Sequence, residues 1–337
     1  MFHFVSIYYN AQKVQSARAD LDYAPGRTNP SLRPLLLERL EQTYRYYEFD
    51  TNDGFRAALT QAFKEQTVDS NGLIFLTVTG HGPFAFGTNR MRITDYARGV
   101  GAGTDIYETL RPAIENTPGA DVSRFRVITD AVSVAGAGYW ARYTGQEETR
   151  SYTVASFILG TGVGAAIVQK YGRVIGRAHH SEFGHTRIHI LEDDPAPVSV
   201  CDYHGGCLQG MVSWAALEAK AKGMNSSLKA AVDNDDHPMW PLVAKYIAQG
   251  CQNLMFTAPP SEIVMCGSLF DLGPSKLEKI IHQAIKDEMG QEFLYLDAQR
   301  DNFLVKRSLA QEALVGNIHH GISLLQKAPS FNLFPVE

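Results

Sequence analysis

The sequence predicts an α/β protein of two lobes with a cleft between them, on the basis of three observations. The chain has 337 residues, enough for two domains that each bury their own core. In both halves, short apolar runs typical of buried strands are followed by segments with apolar residues at helical spacing. A charged break at residues 146–150 separates the halves. We therefore predict an N-terminal lobe over residues 1–135, a C-terminal lobe over 136–310, and a C-terminal helix and tail over 311–337 that packs back on the N-terminal lobe.

Local patterns predict the individual elements. Residues 3–9 and 13–21 flank a polar break at 10–12, which predicts an antiparallel hairpin. Elsewhere, periodic apolar residues predict helices and short apolar runs predict strands. The further predicted strands are 72–79, 125–129, 152–159, 165–169, 173–176 and 263–265, and the predicted helices are 35–46, 53–64, 106–114, 131–143, 213–222, 241–256, 275–288 and 309–326.

Composition and charge exclude several functional classes. Hydrophobic residues make up 45% of the chain and charged residues 20%, as in ordinary globular proteins. The net charge of −5 argues against general binding to nucleic acid or to acidic membrane surfaces. No apolar run is long enough to span a bilayer, and the start of the chain lacks the features of a signal peptide. Four cysteines are too few for a disulfide scaffold, so we expect a cytoplasmic protein.

The strongest chemical signal is a group of histidines and cysteines. Fifteen residues separate His185 from Cys201, and a C-x-x-H-x-x-C knuckle then adds His204 and Cys207. Two thiolates and two imidazoles suit tetrahedral zinc, and four protein ligands leave no position for a catalytic water. We therefore predict a structural zinc site that fixes a loop. The alternative is a chance grouping of thiols and surface histidines.

Residues 160–164, Gly-Thr-Gly-Val-Gly, form a second motif, which we call the glycine turn. The apolar run after it has the pattern of a strand, whereas a dinucleotide-binding fingerprint requires a helix there. Glycines at the tip of a hairpin expose backbone amides that can hold phosphate oxygens. The turn is therefore a candidate phosphate site, and a turn without a ligand is the alternative.

Two carboxylates lie at informative positions. Asp130 directly follows the predicted strand 125–129, where a carboxylate at the mouth of a cleft can accept a proton from a hydroxyl nucleophile. It is equally suited to be a helix N-cap. Glu182 lies three residues before His185, so a metal-anchored histidine would aim it, which suits hydrogen bonding to sugar hydroxyls. A solvated loop is the alternative for Glu182.

These motifs occur in an order that resembles the ROK proteins, the sugar kinases and related repressors of the actin-like ATPase superfamily. The order is Asp130 after a strand, the glycine turn, the Glu-x-Gly-His motif at 182–185 and the cysteine knuckle. Residues 180–185 together with residues 201–210 are most similar to the fructokinase-type branch, which also places a histidine inside the knuckle. The likeness covers roughly residues 73–324. It implies the two-lobed actin-like ATPase (ribonuclease H-like) fold.

The resemblance implies transfer of the ATP γ-phosphate to a hexose hydroxyl by a homodimer. Asp130 would be the base that deprotonates the attacking hydroxyl, and Mg²⁺ would bridge the nucleotide phosphates. The residues expected to hold the sugar are Thr129, Glu182, His185 and Gln209. The residues expected on the nucleotide side are Gly160, Thr161, Gly162, Gly164 and Gly267.

Four features depart from the family pattern. The family begins with a strand and an Asp-x-Gly-Gly-Thr loop that contacts phosphates, and the chain has no such motif. We assign residues 3–9 and 13–21 to the family's second and third strands, so that the first strand is missing. Thr129 replaces an asparagine, Gln209 a sugar-contacting glutamate, and Trp214 a glycine near the nucleotide.

Three functional hypotheses result. The first is an ATP-dependent hexose kinase with Asp130 as base, of the fructokinase or glucokinase type. The second is a catalytically impaired sugar-binding or regulatory protein that kept the pocket. The third is a fragment of a longer kinase. A DNA-binding repressor is disfavoured because the sequence shows neither an N-terminal helix-turn-helix extension nor a basic patch.

Overall fold

The structure is a computed structural model that describes residues 1–22, 32–82, 84–85, 92–93, 100–142, 153–171, 174–175, 179–203, 205–289 and 303–325. The strands are β1 Phe2–Tyr9, β2 Lys13–Leu21, β3 Arg45–Glu48, β4 Leu73–Gly80, β5 Phe84–Ala85, β6 Arg92–Ile93, β7 Phe125–Thr129, β8 Thr153–Leu159, β9 Val163–Tyr171, β10 Val174–Ile175, β11 His179–Ser181, β12 Glu262–Cys266 and β13 Leu304–Lys306. The helices are α1 Leu32–Thr43, α2 Asn52–Thr67, α3 Ile106–Glu115, α4 Asp130–Arg142, α5 Leu208–Val212, α6 Trp214–Gly223, α7 Leu228–Val232, α8 Met239–Thr257, α9 Ser268–Leu272, α10 Leu277–Met289 and α11 Leu309–Leu325, with 3₁₀ turns at Val122–Arg124 and Phe183–His185. None of the helices in these ranges is long and apolar enough to cross a bilayer.

The chain divides into two compact units. The first comprises Met1–Ser151, Gln169–Ala178 and Ala310–Glu337, and the second comprises Tyr152–Val168 and His179–Leu309. Position 135, where the sequence places the end of the N-terminal lobe, lies inside α4. The helix α11 belongs almost entirely to the first unit, and the predicted tail beyond residue 325 lies outside the described residues.

The sheet of the first unit has the strand order β3-β2-β1-β4-β7. β1 is antiparallel to β2 and parallel to β4, and each of its 8 residues has a partner on both sides. The predicted hairpin of β1 and β2 is therefore confirmed. Our assignment of these strands to second and third place is wrong, because β1 fills the centre of the sheet and leaves no gap between its neighbours for a missing strand.

The edge strand β3 is an element that the sequence pattern does not predict. The predicted helix 35–46 ends at residue 43, and β3 pairs antiparallel with the first residues of β2. Tyr46 and Tyr47 are residues that strands favour, and they lie in this segment. Pairing with β2 outweighs the helical periodicity of the residues before them.

The first turn of α4 is fixed to the sheet by α11. Ser133 Oγ lies 2.7 Å from Ala313 O and 3.0 Å from Asn317 Oδ1. Asn317 Nδ2 in turn donates to Ile7 O in β1 at 3.0 Å. A Cβ on Gly316 would lie 1.9 Å from Ser133 O, so the close approach of the two helices requires glycine there. The residue that begins α4 is thereby held in a defined place.

In the second unit, β8, β12 and β13 run parallel, with β9 beside β8 and β11 paired to β9. All residues of β12 are buried, which matches the continuous apolar run that the sequence shows there. The long helix α8 supplies much of the core, including the fully buried Trp240 and Tyr246. This core supports the segments that carry the predicted metal ligands and the glycine turn.

A buried ion pair fixes the loop between His185 and Cys201. The side chains of Lys220 in α6 and Asp194 in the loop are fully buried and form a salt bridge. Tyr246 Oη donates to Asp194 Oδ2 at 2.7 Å. Burial acts to raise the pKa of Asp194, but the hydrogen bonds from Lys220 and Tyr246 outweigh it, so the pKa lies below its ordinary value.

Replacing Lys220 with methionine is expected to lower the free energy of unfolding by about 3–5 kcal/mol, because Asp194 then stays buried without its cationic partner. Urea unfolding at pH 7 measures this loss. Lys245→Met is the matched control, since its pair with Asp193 is exposed and contributes at most about 1 kcal/mol. Equal losses in the two variants would contradict the assignment.

The same ion pair predicts a pH dependence. Because the pKa of Asp194 is lower in the folded than in the unfolded protein, the unfolded state takes up the proton first as the pH falls. The ion pair contributes its full amount to the free energy of unfolding above a pH of about 3.9, the ordinary pKa of an aspartate carboxyl. This contribution is lost as the pH falls through the lower pKa that Asp194 has in the folded protein. Lys220→Met should therefore flatten the acid limb of the stability profile.

Candidate functional site

Three of the predicted metal ligands come together in the second unit. His185 ends the 3₁₀ turn, and its Nδ1 lies 3.6 Å from Cys201 Sγ and 4.0 Å from Cys207 Sγ. The ligand atoms of the three residues lie within 4.8 Å of one another. Two ligands of a tetrahedral zinc are roughly 3.5–3.8 Å apart, given bonds of about 2.0 Å to nitrogen and 2.3 Å to sulfur. The three side chains fit such a site, and His204, the predicted fourth ligand, lies outside the described residues.

Backbone pairing brings these ligands together. Leu208 N donates to Thr186 O at 3.0 Å, so the residue after His185 is paired with the residue after Cys207. Gly206 has a φ of 68°, a left-handed conformation that glycine adopts without strain. The knuckle therefore turns where the sequence places its glycines.

The chemistry of the two thiols suits a metal. Cys207 is fully buried and Cys201 is half-buried. Burial raises the pKa of the Cys207 thiol and the nearby Cys201 adds to this, while a hydrogen bond from Gly210 N opposes it. Such a thiol needs a cation beside it to become a thiolate ligand. Two sulfurs and an imidazole are a soft donor set of the kind that zinc prefers.

The glycine turn connects β8 to β9, so the strand predicted after it is confirmed. Gly160 N donates to Gly162 O at 3.0 Å, and Trp214 N donates to Gly160 O at 2.9 Å. Val163 N donates to Gln209 Oε1 at 3.1 Å. The segment from α5 to the start of α6 thus contacts the turn at both of its ends. Of the other predicted contacts, Thr161 is exposed and Gly164 lies in β9.

Gly267, predicted for the nucleotide side, lies against the same turn. It has a φ of 106°, and a Cβ on it would lie 2.3 Å from Leu159 O at the end of β8. A Cβ on Gly160 would lie 2.7 Å from Ser268 Oγ, which accepts a hydrogen bond from Trp214 Nε1 at 2.7 Å. Sequence reasoning missed Ser268. Its position directly after a glycine at the end of a predicted strand could have indicated a role near the glycine turn.

Glu182 lies at the start of the 3₁₀ turn that carries His185. Its side chain is exposed, and its carbonyl accepts from His185 N at 2.9 Å. A Cβ on Gly184 would lie 2.3 Å from Val163 O, so the glycine of the motif lets this turn pack against the start of β9. The backbone therefore joins the exposed carboxylate to His185, one of the three clustered candidate ligands.

In the first unit, Asp130 is the first residue of α4 and directly follows β7, as the sequence predicts. Its side chain is half-exposed, and Oδ1 accepts from Ala131 N at 2.7 Å. Thr129 is buried, and its Oγ1 lies 3.4 Å from Val132 N, three residues on. Thr129 thus makes the N-cap type of contact that we considered for Asp130, whereas Asp130 bonds the adjacent amide.

Tyr9 is a buried tyrosine whose pKa is affected by the charge of Asp130, and sequence reasoning missed it. It ends β1 and is 2% exposed, and its ring packs edge-on against Phe55 with centroids 5.1 Å apart. Burial raises the pKa of Tyr9, and the charges of Asp130 and Tyr8 raise it further. The Tyr9 hydroxyl therefore stays protonated, and it lies 3.4 Å from His81 O.

A family model described as "ROK family" matches residues 40–319. The chain belongs to the ROK family. The predicted resemblance is thereby confirmed, and so is the fold class, because ROK proteins of known structure match the chain over nearly its whole length.

The similar proteins include both enzymes and a regulator. A fructokinase from Lactococcus lactis subsp. cremoris is 29% identical over 171 residues, 50% of this chain and 56% of that protein. The chain therefore spans only about half the length of this curated relative. The ROK hexokinase structure from Thermus thermophilus matches with a TM-score of 0.62 and 17% identity, over 96% of this chain and 99% of that one. A ROK family transcriptional regulator, a homologue of the E. coli MLC protein, has the same TM-score of 0.62 at 15% identity, over 96% of this chain and 80% of that one.

These matches complete the correction of the sheet. Since 99% of the Thermus hexokinase chain is matched, almost none of that chain lacks a counterpart here, which agrees with the uninterrupted pairing of β1 with β2 and β4. The strand is present and the motif after it differs. The connection from β1 to β2 is Asn10-Ala11-Gln12, where the ROK pattern has an Asp-x-Gly-Gly-Thr loop.

The β1–β2 connection bonds its own amides. Asn10 Oδ1 accepts from Gln12 N at 3.0 Å and from Lys13 N at 2.9 Å, and Asn10 N donates to Lys13 O at 2.9 Å. A phosphate-binding loop presents unpaired amides to its ligand. Two amides of this connection and the amide of Lys13, the first residue of β2, are already bonded, so the connection differs from such a loop in chemistry as well as in sequence.

Proposed function

We propose that the protein transfers the γ-phosphate of ATP to a hydroxyl group of a hexose or related sugar, as a fructokinase- or glucokinase-like ROK kinase. The observation that carries the proposal is the placement of Asp130, a half-exposed carboxylate at the carboxyl end of β7 and in the first turn of α4. Membership in the family and relatives named as fructokinase and hexokinase support it.

In the proposed reaction, the sugar hydroxyl oxygen attacks the γ-phosphorus. The bond from this phosphorus to the bridging oxygen of ADP breaks, and the hydroxyl proton passes to the Asp130 carboxylate. Positioning of the two substrates and neutralisation of phosphate charge do most of the work in such reactions. Mg²⁺ brought in with ATP would supply part of that neutralisation.

The sugar side is assigned to Glu182 and His185. If His185 Nδ1 binds the metal, its Nε2 carries the proton and can donate to a hydroxyl, while Glu182 accepts. The zinc would be structural, since it orients the histidine ring and takes no part in the transfer. Thr129 stays a proposed sugar contact, although its hydroxyl also caps α4.

The nucleotide side is assigned to the glycine turn and Gly267. Backbone amides at a hairpin tip are suited to phosphate oxygens. A homodimer and a cytoplasmic location remain predictions from the sequence.

The test of the proposal is release of ADP by the purified protein with Mg-ATP and a panel of hexoses, amino sugars and cyclitols. We expect turnover on at least one sugar, which would name the substrate, and only background ATP hydrolysis without sugar. A folded protein that binds a sugar but releases no ADP on any member of the panel would contradict the proposal.

A second candidate, a sugar-binding protein without phosphoryl transfer, is favoured by the bonded amides of the β1–β2 connection. In this candidate function, Glu182 and His185 still bind the sugar, but Asp130 does not act as a base because no phosphoryl group is transferred. Thermal unfolding separates the candidates. A hexose should raise Tm in both cases, whereas Mg-AMPPNP should raise it only if the protein is a kinase. A nucleotide-dependent rise would therefore count against the second candidate.

A further inference from the structure

We propose that Gln209 is a positioning residue for the glycine turn, holding it in the conformation that presents its tip to nucleotide phosphates. The sequence places Gln209 on the sugar side, because the family usually has a sugar-contacting glutamate there. The contacts of its side chain point instead to the nucleotide side. This inference rests on the proposed kinase function.

The first step of the argument is the hydrogen bond from Val163 N to Gln209 Oε1, which is 3.1 Å long. The side chain also lies close to the tip, because a Cβ on Gly162 would be 3.1 Å from the same oxygen. Gln209 is half-buried, so water competes less well for the bond than at the surface. Its carbonyl is therefore committed to the turn.

The second step is that the turn is fixed at both ends. Gln209 holds Val163 on the β9 side, and Trp214 N donates to Gly160 O at 2.9 Å on the β8 side. In the described part of the chain, no backbone carbonyl accepts from the amides of Thr161 and Gly162, which lie between these points. Two adjacent amides at a fixed tip form the kind of concavity that binds anions.

The third step concerns the segment of the chain that carries Gln209 and Trp214. Gln209 lies in α5 and Trp214 begins α6, both shortly after Cys207. Cys207 is the N-cap of α5, and its Sγ accepts from Gly210 N at 3.3 Å. The segment that would hold the metal is thus the segment that holds the turn. A side chain two residues from a metal ligand has a well-defined position once the metal is bound.

The test compares Gln209→Met, which keeps the length of the side chain but has no acceptor, with Gln209→Glu, which keeps an acceptor for Val163 N. The matched control is Gln249→Met, because Gln249 in α8 makes a similar bond from His189 N to its Oε1, 2.7 Å long, elsewhere in the second unit.

Hydrogen exchange of the Val163 amide in the ligand-free protein is the first readout. We expect exchange to become roughly five- to tenfold faster in Gln209→Met, because the loss of one hydrogen bond changes the exchange rate by about this factor. Exchange should stay near the wild-type rate in Gln209→Glu and Gln249→Met. Unchanged exchange in Gln209→Met would overturn the proposal whether or not the protein is a kinase.

The second readout is the affinity for Mg-AMPPNP and the KM for each substrate. In Gln209→Met we expect the Kd for Mg-AMPPNP and the KM for ATP to rise roughly five- to tenfold, while the KM for the sugar stays unchanged. In Gln209→Glu we expect both nucleotide values to return to those of the wild type. A raised sugar KM with an unchanged ATP KM would make Gln209 a sugar ligand and overturn the proposal. A wild-type protein that binds no Mg-AMPPNP would refute the kinase function itself, and the exchange result would then stand alone.

Discussion

An Asp130→Asn variant is expected to release ADP about 10²–10⁴-fold more slowly than the wild type at saturating sugar and Mg-ATP, the range that a general base contributes. The asparagine keeps the shape of the side chain and an oxygen that can accept from Ala131 N, now bonded at 2.7 Å. It cannot accept the hydroxyl proton. The loss should therefore appear in kcat, with KM for both substrates changed little.

The control for this variant is Asp121→Asn. Asp121 is the N-cap of the 3₁₀ turn Val122–Arg124 and accepts from Ser123 N at 2.7 Å, but it precedes β7, whereas Asp130 follows β7. Its replacement should leave kcat within about twofold of wild type, since exposed substitutions away from a site have small effects. If Asp130→Asn turned over at the wild-type rate, another group would have to be the base, and the proposed mechanism would be wrong.

How far the sequence predicts this fold is best seen in β1. Its residues alternate in a way that predicts a hairpin, and the hairpin is there. The pattern also contains the polar residues His3 and Ser6, which lie on opposite faces of the strand, yet both are buried. His3 Nδ1 lies 2.8 Å from Asp20 Oδ1 on β2, so this ring nitrogen has a hydrogen-bond partner inside the sheet. A single strand gives no sign of which neighbours it will pair with, and we therefore misplaced β1.

The candidate site shows the same limit at the level of side chains. The clustering of His185, Cys201 and Cys207 was predictable because these residues lie within a segment of 23 residues, and their types alone indicate a candidate metal site. The partner of Gln209 was not predictable, because Val163 lies 46 residues away and is reached only through the packing of α5 against the β8–β9 hairpin. The same holds for Trp214, whose indole bonds Ser268 across 54 residues. Motif spacing predicts ligands that are near in sequence, whereas the contacts that orient them depend on tertiary structure.

A Cys207→Ser variant is expected to lose the metal and part of the stability of the second unit. Serine is a poor zinc ligand, and the three ligand atoms within 4.8 Å of one another leave no other described side chain to replace the thiolate. Structural zinc contributes directly to folding free energy. Metal analysis of protein purified without chelators should give about one zinc per wild-type chain and almost none in the variant, and Tm should fall by roughly 5–10 °C.

The matched control is Cys251→Ser, which replaces another fully buried thiol in the same unit. Cys251 lies in α8, and burial alone raises the pKa of its thiol, so no neighbouring cation or thiol is involved. This variant should keep its zinc, because burying a hydroxyl in place of a thiol affects packing and leaves the ligand set intact. Loss of zinc in Cys207→Ser alone, together with a weaker Tm rise on adding sugar, would tie the metal to the segment that carries Glu182 and His185. Equal zinc content in both variants and the wild type would show that Cys207 is not a ligand, and the three-residue cluster would then be a packing contact.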